Sequence, residues 1–302
     1  MANLVEPTSP EETLAVEAAT RGRTAAFAWA AALSTLAGAI VSGLAFGNLP
    51  GYDDRVVTIT DGLRNLSAHQ PIPPGRAVLQ LEYIGDHPLP YLAGPVLSAI
   101  GGLLIFFVLA FLFRATRARG GPLAQIALIA IAVGAVSYAI GTAVVGVMRV
   151  VEGMNLASDA TNADALDAIS SGPIVAGTII QLLGSLSLGF AFVLVGLHAM
   201  RVGLLTRFMG ILGMIAGATF VVPLDQQGII RSFWLGAVGF LIAGRWPSPV
   251  PAWETGKAEP WPSTRQPRGR GGAEPLPAPE TPAPTPPDAL SPGQRRKKRK
   301  RG

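Results

Sequence analysis

The chain has 302 residues, 49% of them hydrophobic and 14% charged, where a soluble domain carries roughly 25% charged residues. It contains no cysteine, which excludes disulfides, thiolate catalysis and cysteine-held metals. The formal net charge is +5, but seven of the last eight residues are basic, so the positive balance belongs to an appendage and not to a binding face.

Charges are absent from several long runs and crowd between them, the pattern of helices dissolved in lipid. A charge near the bilayer centre costs at least about 2.5–3.5 kcal/mol. The expected fold is an all-α polytopic transmembrane bundle of about six spans. Residues 1–23 are polar and acidic and read as a cytoplasmic N-terminal segment. Ser9-Pro10-Glu11-Glu12 can open a short helix there, with Ser9 as cap.

The first span is 24–46, charge-free and longer than the roughly 20 residues a bilayer needs. A polar extracytoplasmic loop, 47–90, follows. Within it Val56, Ile59, Leu63 and Leu66 predict an amphipathic helix over about 54–68. Residues 77–84 fit a strand or a second short helix. The second span is 91–113. It ends in a cationic turn, Arg114-Ala115-Thr116-Arg117-Ala118-Arg119, ahead of a third span at 122–148 that opens on Pro122.

Residues 149–172 read as a polar loop and 173–200 as the fourth span. Arg201 to Arg207 is a second short basic turn, before a fifth span at 208–224 and a sixth at 229–246. The sixth is the weakest, because only 13 uncharged residues separate Arg231 from Arg245. A re-entrant hairpin over 208–244 is the competing reading, and both place the C-terminus on the same side. From Pro247 to the end, every fourth residue on average is proline. That composition predicts a disordered, proline-rich, basic cytoplasmic tail over 247–302.

Orientation follows from counting Lys and Arg beside the spans. One side has Arg21, Arg23, Arg114, Arg117, Arg119, Arg201, Arg207 and Arg245; the other has Arg55, Arg64, Arg76, Arg149 and Arg231. The first side is cytoplasmic by the positive-inside rule. Arg114, Arg117, Arg119, Arg201 and Arg207 therefore determine topology, with both termini on the cytoplasmic side of the plasma membrane. The other side holds ten carboxylates.

No Asp, Glu, Lys or Arg falls in the middle of the first five spans, which argues against ion-coupled pumping. The intramembrane polar residues with most at stake are Tyr138, Gln181 and Ser185. Gln181 either contacts a ligand or bonds across helices to Tyr138 or a serine. Small residues recur at four-residue spacing (Ser34 and Gly38, Ala130 and Gly134, Ser185 and Gly189, Gly213 and Gly217), which predicts close helix packing. The loop acids Asp53, Asp54, Asp61, Glu82 and Asp86 could bind a divalent cation with His69 and His87, but no HExxH-type spacing is present and a solvated acidic loop is the expected reading.

The run Arg295-Arg296-Lys297-Lys298-Arg299-Lys300-Arg301 should sense anionic lipid at about 1 kcal/mol per basic group near the surface. Nucleic acid is a poorer partner, since no aromatic residues interleave for stacking. No protein partner can be named.

Tyr83-Ile84-Gly85-Asp86-His87-Pro88-Leu89-Pro90-Tyr91, the span ending Phe111-Leu112-Phe113-Arg114-Ala115-Thr116-Arg117, and Arg201-Val202-Gly203-Leu204-Leu205-Thr206-Arg207-Phe208-Met209-Gly210 resemble uncharacterised multi-pass integral membrane proteins of high-GC bacteria. The resemblance implies the topology alone, since no activity attaches to that group. The expected function is non-enzymatic, structural or accessory, without catalytic, cofactor or metal residues. The alternatives are a passive small-solute transporter or channel, and a sensor or enzyme using the 47–90 loop.

Overall fold

The computed structural model describes residues 9–47, 63–64, 66–69, 75–222, 224–225, 227–248, 250–259 and 261. They belong to one compact unit, Met1–Trp261, separate from Pro262–Gly302. The basic run 295–301 and most of the helix expected at 54–68 lie outside the described residues.

Every regular element among the described residues is a helix: α1 Pro10–Gly47, α2 Arg76–Asp86, α3 Pro88–Ala118, α4 Ile126–Met154, α5 Asn162–Ile169, α6 Gly172–Arg201, α7 Arg207–Ala218, α8 Ile229–Ile242 and α9 Pro251–Thr255. Four of them, α1, α3, α4 and α6, are long and apolar enough to cross a membrane.

Several boundaries differ from expectation, for local reasons. The expected separate segment 1–23 is, from Pro10 on, the first third of α1. Ser9 does cap it, its hydroxyl accepting the Glu12 N–H at 3.2 Å, but no breaker follows and the helix runs on for 38 residues. Residues 76–86 are a helix, burying Val78, Leu81 and Ile84 along one face. Pro122 precedes α4 by four residues, in the turn where Gly120 takes φ +74°. The expected loop 149–172 contains the last turn of α4 and all of α5.

The tail was expected to begin at Pro247. Instead α9 forms at 251–255, with Ala252 and Trp253 buried. Composition is outweighed there by one large aromatic side chain that finds a slot.

Six helices of crossing length do not form among the described residues. The fifth and sixth expected spans are α7, of 12 residues, and α8, of 14. At 1.5 Å per residue they reach about 18 and 21 Å, short of a hydrocarbon layer of about 30 Å.

Packing closes a ring in the order α1–α3–α4–α6–α7–α8 and back to α1. One face of the ring carries the turn 119–125, the turn 202–206 and α9; we call it the tail face. The opposite, loop face carries α2 and α5 against α4. The main core lies toward the tail face. Its buried residues run over Ala25–Ala32, Ile105–Ala115, Leu123–Ala135 and Leu188–Leu205, then through α7 and α8. Trp234 sits at its centre, 1% exposed, its indole N–H donating to the Met209 carbonyl at 2.9 Å.

The α7–α8 hairpin explains that asymmetry. It enters from the tail face and fills the gap between α1 and α6 only part of the way. A Cβ on its Gly228 would stand 3.0 Å from the Thr35 side chain, and Phe220 meets Tyr138 edge-on at 5.8 Å. Thr35 is reached by counting back from Gly47, the loop-face end of α1, and Tyr138 by counting forward from Ile126, the start of α4. Each count spans roughly 18 Å of helix, so the hairpin tip lies near the middle of α4 and about two thirds of the way along α1, the middle of its charge-free stretch 24–46.

α7 can approach α6 because glycine meets glycine. A Cβ on Gly217 would stand 2.7 Å from the Gly189 carbonyl oxygen, and one on Gly189 2.8 Å from that of Gly217. The small-residue spacing predicted close helix packing in general, without naming this pair.

Candidate functional site

Three groups of polar side chains sit where apolar ones would be expected. The first is on the tail face. Arg119 ends the α3 turn with its side chain fully buried, facing Glu17 from α1. Its guanidinium uses all five donors. Nη1 donates to Glu17 Oε1 and to the Ala115 carbonyl at 3.0 Å. Nη2 donates to Glu17 Oε2 at 3.0 Å and to the Ala252 carbonyl at 2.8 Å, and Nε reaches that same carbonyl at 2.9 Å. A bidentate carboxylate pair with no unsatisfied donor is the geometry in which a buried arginine is tolerable.

Trp253 from α9 completes this clasp. The guanidinium carbons of Arg21 and Arg119 lie 4.7 and 5.2 Å from its ring centroid. Phe111 stacks on it at 5.9 Å with planes 6° apart. The indole N–H donates to the Leu204 carbonyl at 2.9 Å, and Arg21 Nε donates to the Ile242 carbonyl at 2.9 Å. The Trp253 ring of α9 thus meets α1, α3 with its following turn, and the 202–206 turn, while Arg21 ties in the end of α8.

The second group is the hairpin tip. Asp225 accepts the backbone N–H groups of Ile230 and Arg231, each at 3.2 Å, so it caps the start of α8. Arg231 returns its Nε to that carboxylate at 3.5 Å and its Nη2 to the Asp225 carbonyl at 3.1 Å. Its guanidinium carbon lies 4.7 Å from the Phe220 ring centroid. The side chains of Arg231 and Asp225 are 13% and 4% exposed.

The third group bridges α4 and α6. Gln181 donates Nε2–H to the Thr142 hydroxyl at 2.9 Å. The partner is a threonine, where Tyr138 or a serine was expected, and the contact is interhelical as foreseen. Ser185 is buried, and Tyr138 is half-buried against Phe220. On the long helices Thr178 bonds back to the Ile174 carbonyl at 2.8 Å, and Ser98 lies against Gly38, while the Thr116 hydroxyl on α3 is buried without a hydrogen-bond partner. Gln181→Leu is expected to cost about 0.6–1.7 kcal/mol, the range for single interhelical hydrogen bonds. Thermal unfolding in detergent of Gln181→Leu, Thr142→Val and the double variant measures the coupling.

The arginines expected to set topology divide. Arg114, Arg201 and Arg207 are exposed, and Arg117 is half-buried with its guanidinium carbon 6.0 Å from the Phe113 ring centroid. Arg119 alone of the five is buried. On the loop face His87 stacks on Tyr83 at 4.5 Å, and no group of three or more His, Asp or Glu side chains lies together among the described residues. Asp53, Asp54 and Asp61 lie outside them.

A cavity of about 440 Å³ between α4 and α5 is lined by Glu152, Asn155, Asp159, Thr161 and Asp164. The role of Asp164 there is structural. It closes a capping box with Thr161, and hydrogen bonds from the Thr161 hydroxyl and backbone N–H hold its carboxyl below the ordinary value of 3.8. A lowered folded value means that its contribution is present above 3.8 and lost as pH falls through the folded value. Hydrogen exchange at the Ala165 amide should accelerate over that acid range relative to Asp164→Asn, which lacks the titration.

Asp225, Glu17 and Trp253 escaped the sequence reading. A signal for the last existed, since two of the five tryptophans, Trp253 and Trp261, fall in the opening of a tail whose composition predicts no structure, just after Trp246.

No protein-family model, curated protein or solved structure matches the chain.

Proposed function

We propose that the chain is a non-enzymatic plasma-membrane protein of structural or accessory type. In this reading α1, α3, α4 and α6 cross the bilayer, α7 and α8 form a re-entrant hairpin from the cytoplasmic side, and both termini are cytoplasmic. The observation that carries it is where the polar side chains of the long helices go. Gln181 is taken by Thr142, Thr178 by its own backbone, and Ser98 faces a glycine across α1 and α3. A pore would gather such groups on one lumen, and an enzyme would gather titratable groups in one cleft.

The orientation rests on the arginine count, and Arg295 to Arg301 would then lie against the anionic cytoplasmic leaflet. Binding of the full chain to phosphatidylglycerol vesicles, lost when those seven cations become glutamine, tests that partner. Nucleic acid is not part of this reading.

Reconstituted vesicles test the function. Glycerol, urea and monovalent ions should cross them no faster than empty vesicles. Solute flux that falls on Gln181→Leu would sink the reading in favour of a passive channel. The absence of native cysteine makes topology easy to probe. Leu224→Cys, at the hairpin tip, should resist membrane-impermeant maleimide from either side. Labelling from outside would establish two full crossings in place of a hairpin.

A further inference from the structure

The groove between α1 and α3 near the tail face combines an aromatic floor with two cations. Phe27 and Phe107 meet across it with centroids 4.8 Å apart, and Phe106 closes it edge-on, 5.2 Å from Phe107. Phe107 continues an apolar stripe on α3, Val96, Ile100, Leu103 and Phe107, whose members are 43–50% exposed. Arg23 lies one turn from Phe27 toward the tail face, its guanidinium carbon 5.9 Å from that ring's centroid. Arg114 lies seven residues beyond Phe107, two turns along the same side of α3. The helices run in opposite directions, so both steps lead to the same face. Both arginines are exposed, and neither has an ion-pair partner among the described residues.

We propose that this groove binds one anionic phospholipid, with Arg23 and Arg114 on the phosphate and an acyl chain along Phe107, Leu103 and Ile100. A guanidinium fork matches phosphate geometry, and the ring beneath Arg23 holds one fork in place before the ligand arrives. The cations sit at one end of a hydrocarbon-facing stripe, which is how charge and chain are distributed in a phospholipid. A soluble phosphate would use the arginines and leave the stripe idle. The site rests on the membrane reading above and not on the basic tail. Recovery of the chain without detergent would overturn the membrane reading by itself.

The test uses the full chain with its seven tail cations replaced by glutamine, held in detergent micelles and titrated with phosphatidylglycerol or phosphatidylcholine under native mass spectrometry. One phosphatidylglycerol should be held more tightly than any phosphatidylcholine, and inorganic phosphate should not displace it. Arg23→Gln with Arg114→Gln should weaken it about 25-fold, at about fivefold for each cation near the headgroup. Phe107→Ala should weaken it while leaving the charge intact. Arg201→Gln with Arg207→Gln, equal in charge, should leave it bound. Equal losses from both arginine pairs, no loss from the first, equal retention of phosphatidylcholine, or displacement by phosphate would each overturn the site.

Discussion

Glu17→Ala should lower the stability of the folded protein by about 3–5 kcal/mol, because it strands a guanidinium that has no route to water. The Arg119 side chain is fully buried, and Glu17 supplies two of its five hydrogen bonds together with the only carboxylate opposing it among the described residues. Arg119→Ala should be comparably severe, since it strands the carboxylate and frees the Ala252 carbonyl. Glu17→Leu with Arg119→Met is the informative comparison. Replacing a buried pair by apolar groups of similar volume is often neutral or stabilising. If the clasp acts only as an ion pair, the double variant should recover most of the loss. It still lacks the donors to Ala252, so α9 should stay loose. Thermal unfolding reports the first effect, and proteolysis near Trp253 reports the second. A single-variant cost below about 1 kcal/mol would mean that water reaches the pair and screens it as on a surface.

The four long helices were legible because a helix able to cross a bilayer needs an unbroken apolar stretch of about 20 residues, and charges mark the ends of that stretch. Thr24 to Phe46 and the stretch before Arg114 needed no tertiary information. The clasp was hidden for the opposite reason. Glu17 and Arg119 are 102 residues apart, and each alone looks like an ordinary interfacial charge. Only the fold shows that one turn and one helix face bring them together. The positive-inside count treated all five turn arginines alike, yet Arg119 is spent inside the protein while Arg114 remains outside it. Trp253 was concealed by its neighbours, since proline-rich composition describes a segment's average and a single indole can anchor it. The short sixth helix was half legible, since the 13 uncharged residues after Arg231 are too few to cross without a thinned bilayer or snorkelling ends, whereas the 17 before Asp225 gave no such sign of a short fifth helix.

The hairpin tip carries the second large expected effect. Counted along the sequence, Asp225 is one more acid in an outer connection. In the fold it lies beside Arg231 at the level of Thr35 and Tyr138, deep among apolar helices. Asp225→Ala removes the acceptor of two backbone N–H groups at the start of α8 and leaves Arg231 without its counter-charge. A helix cap is worth about 1 kcal/mol and a stranded buried charge about 3–5 kcal/mol. The Arg231 carbonyl contact and the Phe220 ring remain, so the lower end of that sum is expected. Asp225→Asn separates the two contributions, because it keeps an accepting oxygen for the cap while removing the charge. Arg231→Met in the Asp225→Asn background should then restore stability toward the parent. If Asp225→Asn and Asp225→Ala prove equally mild by unfolding in detergent and in bilayers, the tip is bathed in water. The hairpin would then be the floor of an aqueous vestibule and not a plug set in lipid.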